Sequence, residues 1–574
     1  MKFRTFFCAA LVCHFTLLAG HAQSGPGSSP PASDLPLSRV RGEAAFVGRA
    51  LDALNDIPHL QTQGPATQLI VDGRPFLALA GELNNDSATS LEYVRRLWPR
   101  LVQAKINTVL AGVSWNQIER QEGKFDFSVL DGVIQGARSH NLRLVLLWFA
   151  SWKNSLSSYP PDWVKKDFER FPRAQATAGR SIEQLSSFSE ANRDADARAF
   201  AALMRHVKEV DGRQHTVIMI QVENEINGLD HSPLANKAQE GPVPKELMDY
   251  LQSHKDTLIP ELRQVWEAAG FKTAGTWEEV FGKGGGADEI FIAWHYARYT
   301  GRVAEAGKAE YPIPMYVNSW GEGFPRAGQR ANGAPKPGVI DVWRAGAPAI
   351  DMLSPDIYGG DFAGMCADYT RSGNPLFVPE TGNGPINAAK ALYVFGHHDA
   401  IGFSPFGVDR EDRLGNSPDL AGIYDILSQL APLISEHQGN GTMAAVMLRS
   451  NAPPQKVQLG DYTLQVAYWP IRYSMPLLMP GEPPPGTPPP GAVILIAAGP
   501  DEFFAAGSGV KVTFSSTAPG LPLAGLGTVE EGTFVNGRWV PDIRLAGDDT
   551  GQGNDLFEIQ RHIGIQRFTL YRYR

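Results

Sequence analysis

Cysteine is nearly absent from this chain. Three Cys occur in 574 residues, and two of them, Cys8 and Cys13, lie in the first apolar run. Only Cys366 stands beyond it, so no internal disulfide can staple the mature fold, and a large apolar core has to hold it. Basic excess is also lacking: 52 Lys and Arg stand against 61 Asp and Glu, a net charge of −9. That balance argues against nucleic acid or an anionic membrane as partner, since both recruit clustered positive charge. No His-Glu-x-x-His pair and no fixed-period repeat occurs, and the glycine-rich stretch 282–287 lacks a phosphate-loop lysine pattern. The pair His397-His398 has no further metal-ligand spacing around it and reads as structural. Neither a metal nor an organic cofactor is expected.

Near the N terminus, residues 6–18 are mainly apolar but too few to span a bilayer. Lys2 and Arg4 precede them and Gly20-His21-Ala22 follows, the pattern of a secretory signal over 1–22. Its removal near Gln23 takes Lys2 and Arg4 away and the net charge from −9 to −11. A secreted protein with no membrane attachment after cleavage is expected, and secretion without disulfides suits a bacterial periplasm. Residues 23–39, rich in Gly, Ser and Pro, predict a disordered leader. Residues 40–65 read as a helical or irregular entry segment.

From residue 68 the patterns alternate. Strand candidates fall at 76–83, 107–115, 142–152, 217–227, 315–320, 350–358, 376–380 and 400–406, and helical stretches such as 91–104 and 290–309 separate most of them. Eight strands alternating with helices predict an α/β fold, a (β/α)8 TIM barrel over 40–435, with insertions near 165–211 and 243–288. After 436 the style changes to short runs at 443–449, 462–469, 493–498, 510–514, 534–539 and 568–573, punctuated by Gly and Pro. These predict a smaller all-β sandwich over 436–574, with a proline-rich loop at 476–491.

Chemistry concentrates at two strand ends. The apolar run from Val217 feeds into Glu223-Asn224-Glu225, and a second run ends at Pro379-Glu380 before Thr381-Gly382-Asn383-Gly384. Each glutamate could merely cap the following helix or turn. Yet parallel barrels place their chemistry at the C-terminal ends of strands, and two aimed carboxyl groups are what glycosidic cleavage requires. Glu225 is therefore the candidate acid/base and Glu380 the candidate nucleophile, with Asn224 poised to bond a sugar hydroxyl. On an ideal strand Glu223 shares a face with Glu225 one step deeper, and reads as a buried structural partner.

Asn224-Glu225 after one strand, with Glu380 following another 155 residues later, resembles the clan of retaining barrel glycosidases. In that clan the acid/base follows strand four and the nucleophile strand seven. A narrower resemblance runs through Trp115-Asn116-Gln117-Ile118-Glu119 and Gly123-Lys124-Phe125-Asp126-Phe127, Ala80-Gly81-Glu82-Leu83 and Gln221-Val222-Glu223-Asn224-Glu225. Together these are similar to segments of glycoside hydrolase family 35, the β-galactosidases. Ile118 stands where that family has His, and Ser151 where it has a sugar-binding Glu. The resemblance implies a retaining exo-β-galactosidase that removes terminal galactose from an oligosaccharide, a galactosylated plant glycan for example. The alternatives are another β-glycosidase of the clan, cutting glucosides or arabinosides, and a non-catalytic carbohydrate-binding protein. Substrate-binding candidates at strand ends are Glu82, Asn84, Trp115, Asn116, Trp152, Asn154, Asn224 and Tyr358, the last within reach of the nucleophile. Glu119, Asn318 and Trp320 are weaker candidates, and any of the tryptophans reads equally well as core.

Overall fold

The computed structural model describes residues 57–320, 331–382, 384, 386–410, 418–469, 490–557 and 563–574. The expected signal and leader, and the proline-rich stretch 476–489, lie outside the described residues.

The fold is an α/β barrel followed by all-β sheets. Barrel strands are β1 (Ala78–Glu82), β2 (Thr108–Ser114), β3 (Arg143–Lys153), β4 (Val217–Asn224), β5 (Met315–Trp320), β6 (Met352–Ile357), β7 (Phe377–Val378 and Glu380–Thr381) and β8 (Gly402–Phe403). All their pairings are parallel. Each is followed by a helix: α1 (Trp98–Gln103), α2 (Ser128–Ser139), α3 (Glu190–Asp211), α4 (Gly285–Glu310), α5 (Ile340–Gly346), α6 (Phe362–Tyr369), α7 (Asn387–His397) and α8 (Pro418–His437). All eight residues of β4 are buried, as a strand covered on both faces demands. One set of side chains, including Ala78, Leu110, Val145, Leu147, Tyr316 and Phe377, fills the lumen. The alternate set packs outward under the helices.

Closure runs through β7. Pro379 divides it: Phe377–Val378 pairs with β8, whereas Glu380–Thr381 pairs with β6. Since β8 also pairs with β1, the ladder returns on itself. Proline has no N–H for the ladder, so the strand changes partner at that residue.

Some expectations are corrected. Residues 59–63 are not helical or irregular. His59–Gln63 forms an antiparallel ladder with Ala66–Val71 and Arg74–Pro75, and Leu69 and Val71 cap the bottom of the lumen. The helical stretch 91–104 is two helices, Leu91–Arg95 and α1, because Pro99 suits only a helix start. The first expected insertion, 165–211, contains a hairpin of Arg173–Gln175 with Ser181–Leu185, but its second half is the barrel helix α3.

Beyond α8 lie β9 (Met443–Leu448), β10 (Gln455–Leu459), β11 (Tyr462–Tyr468), β12 (Gly491–Ala497), β13 (Glu502–Ser508), β14 (Val510–Ser516), β15 (Leu523–Val535), β16 (Arg538–Leu545), β17 (Asp555–Leu556) and β18 (Gly564–Tyr573). They form a six-stranded sheet, β9-β12-β13-β18-β15-β16, and a four-stranded sheet, β10-β11-β14-β17. Residues 534–539 are not one strand. Asn536 and Gly537, with φ of 51° and 74°, make the two-residue turn between β15 and β16, the primed geometry that Asn-Gly favours. The six-stranded sheet also packs on the barrel. A Cβ on Gly396 of α7 would come within 2.7 Å of both Ala445 and Ile494, so glycine permits that approach.

β18 lies inside the sheet, between β13 and β15. Phe568 and Leu570 enter the sandwich core, and Phe568 stacks on Phe503 at 5.2 Å. Tyr571 and Tyr573 project from the other face and are exposed. Phe568→Ala is therefore expected to cost about 3–5 kcal/mol, read as a lowered Tm in calorimetry. An unchanged Tm would show that this strand does not support the core.

Candidate active site

The C-terminal ends of β1, β3, β4, β5, β6 and β7 converge on one group of carboxyls. β4 ends in an irregular turn: Glu223 and Glu225 adopt φ of 61° and 46°, left-handed values that cost a non-glycine residue about 1–3 kcal/mol each. Specific bonds hold both. Glu223 accepts from the backbone N–H of Ser151 (3.2 Å) and of Trp152 (2.7 Å). The N–H of Glu225 donates to Asn318 Oδ1 at 3.0 Å. These turns break the strand alternation, so Glu223 and Glu225 do not share a face. Glu223 is buried beside Asp196 of α3, and burial followed by the charge of Asp196 pushes its pKa well above the usual carboxylate range. Ser151 belongs to that buried layer too, donating to Asp196 Oδ2 at 2.5 Å and meeting Tyr299 at 2.7 Å. It faces α3 and α4, away from the mouth where the family resemblance places a sugar-binding residue.

Glu225 meets Glu380 at the mouth. Three donors converge on Glu380: Asn224 Nδ2 and Asn318 Nδ2 on Oε1, each at 3.3 Å, and the Tyr358 hydroxyl on Oε2 at 2.6 Å. Asn154 donates to Glu225 Oε2. Asn224 Oδ1 accepts from Lys153 Nζ at 2.9 Å, so the amide between the two glutamates is itself oriented. Burial, then the nearby Glu380, pushes the Glu225 carboxyl up, and Lys153 with the bonds from Asp356 and Asn154 pulls part of the way back.

Two further acids complete the group. Asp356, at the end of β6, accepts from Asn318 Nδ2 at 2.9 Å. Glu82, at the end of β1, is buried, and neither of its oxygens has a hydrogen-bond partner among the described residues. Desolvation first, and neighbouring carboxyls next, push both well above their usual range. Glu225, Asp356 and Glu380 each place one oxygen within 4.8 Å of the others. Among the described residues these three could hold a cation, although their donors and Lys153 already suit a proton-sharing set.

Other candidates lie elsewhere. Trp115 and Trp152 are fully buried, which overturns their reading as sugar platforms. The Trp115 indole donates to Glu119 at 2.7 Å and meets Trp163 edge-on, while Trp152 packs on Tyr299 at 4.5 Å and donates to the Leu185 carbonyl. Both sit on the outward phase of their strand ends. Asn116 is exposed, and its N–H bonds the Tyr159 carbonyl at 2.9 Å. Asn84 gives its N–H and its side-chain amide to Asp409, tying the β1 loop to the β8 loop instead of facing the carboxyls. Tyr358 and Trp320 are exposed at the mouth. Sequence reasoning missed Asp356 and Lys153. Asp356 stands two residues before Tyr358, the phase of one strand face, and that spacing is the signal that could have found it.

A sequence model of the family described as Beta-galactosidase, glycoside hydrolase family 42, matches residues 89–281. A model described as a domain of unknown function (DUF5597) matches residues 420–557. A β-galactosidase of Xanthomonas manihotis is 29% identical over 192 residues, 31% of this chain and 28% of that protein. The chain thus spans little more than a quarter of that relative's length. Among solved structures, a β-galactosidase from Rahnella sp. R3 shares 17% identity over 62% of this chain and 57% of its own, with a TM-score of 0.43. One from Bacillus circulans sp. alkalophilus shares 17% over 62% and 56%, with a TM-score of 0.40. The sequence match over 89–281 and the Xanthomonas manihotis relative keep the resemblance to β-galactosidases, but the matching family is 42, which corrects the narrower resemblance to family 35.

The buried, unpartnered Glu82 yields a stability test. Its folded-state pKa is shifted upward, so between the unfolded and folded values the unfolded chain releases a proton that the native state retains. Its contribution is fully present at low pH and is lost as pH rises through that window. In Glu82→Gln this loss is absent, so the Tm of the variant relative to the parent is expected to climb from acid to neutral pH. A Tm difference constant over that range would show that Glu82 is not a buried, proton-retaining acid.

Proposed function

We propose that this protein is a retaining, exo-acting β-galactosidase that releases terminal β-galactosyl residues from oligosaccharides by double displacement. The observation that carries the reading is the convergence of Glu225 and Glu380 from the ends of β4 and β7, with oxygens inside 4.8 Å. Retaining enzymes hold their carboxyls about 5–5.5 Å apart, whereas an inverting pair needs roughly 6.5–9.5 Å to admit a water. Galactose as the sugar is supported by the match to the β-galactosidase family over 89–281.

In this mechanism Glu380 attacks the anomeric carbon while Glu225 gives its proton to the leaving oxygen. The glycosyl–enzyme ester forms as the glycosidic bond breaks. Glu225, now a carboxylate, takes a proton from water as that water attacks the same carbon and frees Glu380. The donors on Glu380 aim its free lone pair, and the upward shift of Glu225 keeps it an acid where a surface glutamate would have ionised. Asn224 and Tyr358, both bonded to Glu380, stand where a sugar hydroxyl next to the reacting carbon would meet them. The signal-like N terminus supports export, and a galactosylated plant oligosaccharide is a substrate of the class this site would take.

Chromogenic β-galactosides, β-glucosides and α-arabinosides test the sugar directly, and turnover of none of them would sink the reading. Glu225→Ala is expected to slow substrates with poor leaving groups by roughly 10²–10⁴, the value of general-acid help, and activated aryl substrates far less. Azide should rescue the aryl substrate and yield the β-galactosyl azide. Equal losses on both substrates without an azide product would remove Glu225 from the acid/base role.

A further inference from the structure

Asp356 carries the inference. It is fully buried at the end of β6, and its Oδ2 accepts from Asn318 while its Oδ1 has no hydrogen-bond donor among the described residues. One of its oxygens lies within 4.8 Å of oxygens from both Glu225 and Glu380. Two neighbouring carboxyl groups can bond each other only if one of them carries a proton.

We propose that Asp356 works as a neutral carboxylic acid that positions Glu225, its O–H donating to the Glu225 carboxyl throughout the cycle while its own proton never passes to substrate. The inference rests on the glycosidase reading of Glu225 and Glu380 and adds a third acid to it. The groups around Asp356 come from every neighbouring element. Among the described residues that act on it, Glu82, Glu225 and Glu380 are acids, Lys153 is a cation, and Tyr316, Tyr358 and Tyr369 are phenols. A buried set of this kind is least costly when its net charge is near zero. With Glu380 ionised as nucleophile and Lys153 as its counter-charge, the other three acids are neutral in the resting enzyme. When Glu225 has given its proton to the leaving oxygen it becomes an anion, and the O–H of Asp356 is then its nearest acidic donor. Water returns a proton to Glu225 in the second half-reaction, and Asp356 ends as it began. A bond from Asp356 opposes the push of burial and Glu380 on Glu225, whose net shift remains upward.

The test turns on the charge that Asp356→Asn removes. If Asp356 is neutral, the amide replaces one neutral donor by another, and the alkaline limb of kcat/KM stays where it is in the parent enzyme. If Asp356 is an anion, its removal takes away a like charge beside Glu225 and moves that limb down by about one unit or more, which would overturn the proposal. A second measurement needs no variant of Asp356. With 13C-labelled aspartate, the parent enzyme and Asp196→Asn, which removes the other fully buried aspartate with raised pKa, are both expected to show an aspartate carboxyl that stays protonated at neutral pH. A spectrum in which every aspartate is ionised at neutral pH would overturn the proposal even if D356N failed to fold. The glycosidase reading fails separately: full turnover by Glu380→Gln would sink it, while the carboxyl signal would still report the state of Asp356.

Discussion

A parallel barrel has no free edge only if its last strand finds the first, and here strand seven carries that burden on four paired residues. Phe377–Val378 reach β8 and Glu380–Thr381 reach β6. The hinge between them is Pro379, a residue that cannot join either ladder through an N–H. Glu380 is thus placed by the same backbone break that closes the barrel. Below it, Leu69 and Val71 of the N-terminal ladder cap the lumen with apolar side chains. The barrel's polar side chains are therefore gathered at its other end, in line with the general placement of barrel chemistry.

Gathering them there has an electrostatic consequence. Among the described residues, the carboxyls of Glu82, Glu225, Asp356 and Glu380 share a buried space with Lys153. Desolvation and mutual repulsion favour protons on the acids that lack donors, and hydrogen-bond donors gather instead on Glu380. Two amides do most of the ordering. Asn318 bridges Glu225, Asp356 and Glu380, and Asn224 links Lys153 to Glu380. The left-handed turns at Glu223 and Glu225 send one carboxyl into the layer beneath α3 and the other to the mouth. That division separates a structural acid pair, Glu223 with Asp196, from the pair at the mouth.

The C-terminal sheets contribute support at a distance from these acids. Ala445, Ile494 and Phe504 join the large core shared with the barrel helices. The opposite face of the same sheet closes over the four-stranded sheet through Phe503, Phe568 and Leu464. One sheet is thus buried on both sides, and β18 near its centre is held by two neighbours.

The eight barrel strands were legible because each is a short apolar run ended by polar residues, and a parallel strand buried on both faces has few other ways to be written. Glu225 and Glu380 were legible for the same reason, since a carboxylate directly after such a run stands out. Strand-end position alone could not say which way a side chain turns. Trp115 and Trp152 end strands as promisingly as Tyr358 does, yet they face the helices, and Asn84 is claimed by Asp409 more than 300 residues away. The entry ladder at 59–63 was hidden because its exposed polar face dilutes the alternation that marks a strand, and the Asn536-Gly537 turn was hidden inside what looked like one strand. Asp356 and Lys153 acquire meaning only from what lies opposite them, for a lone acid in a strand carries no signal of being buried beside two others. Local pattern determined the elements and the two glutamates at the strand ends. Tertiary packing decided which polar groups share a buried space, because burial and mutual charge are properties of neighbours brought together by the barrel, not of any one segment.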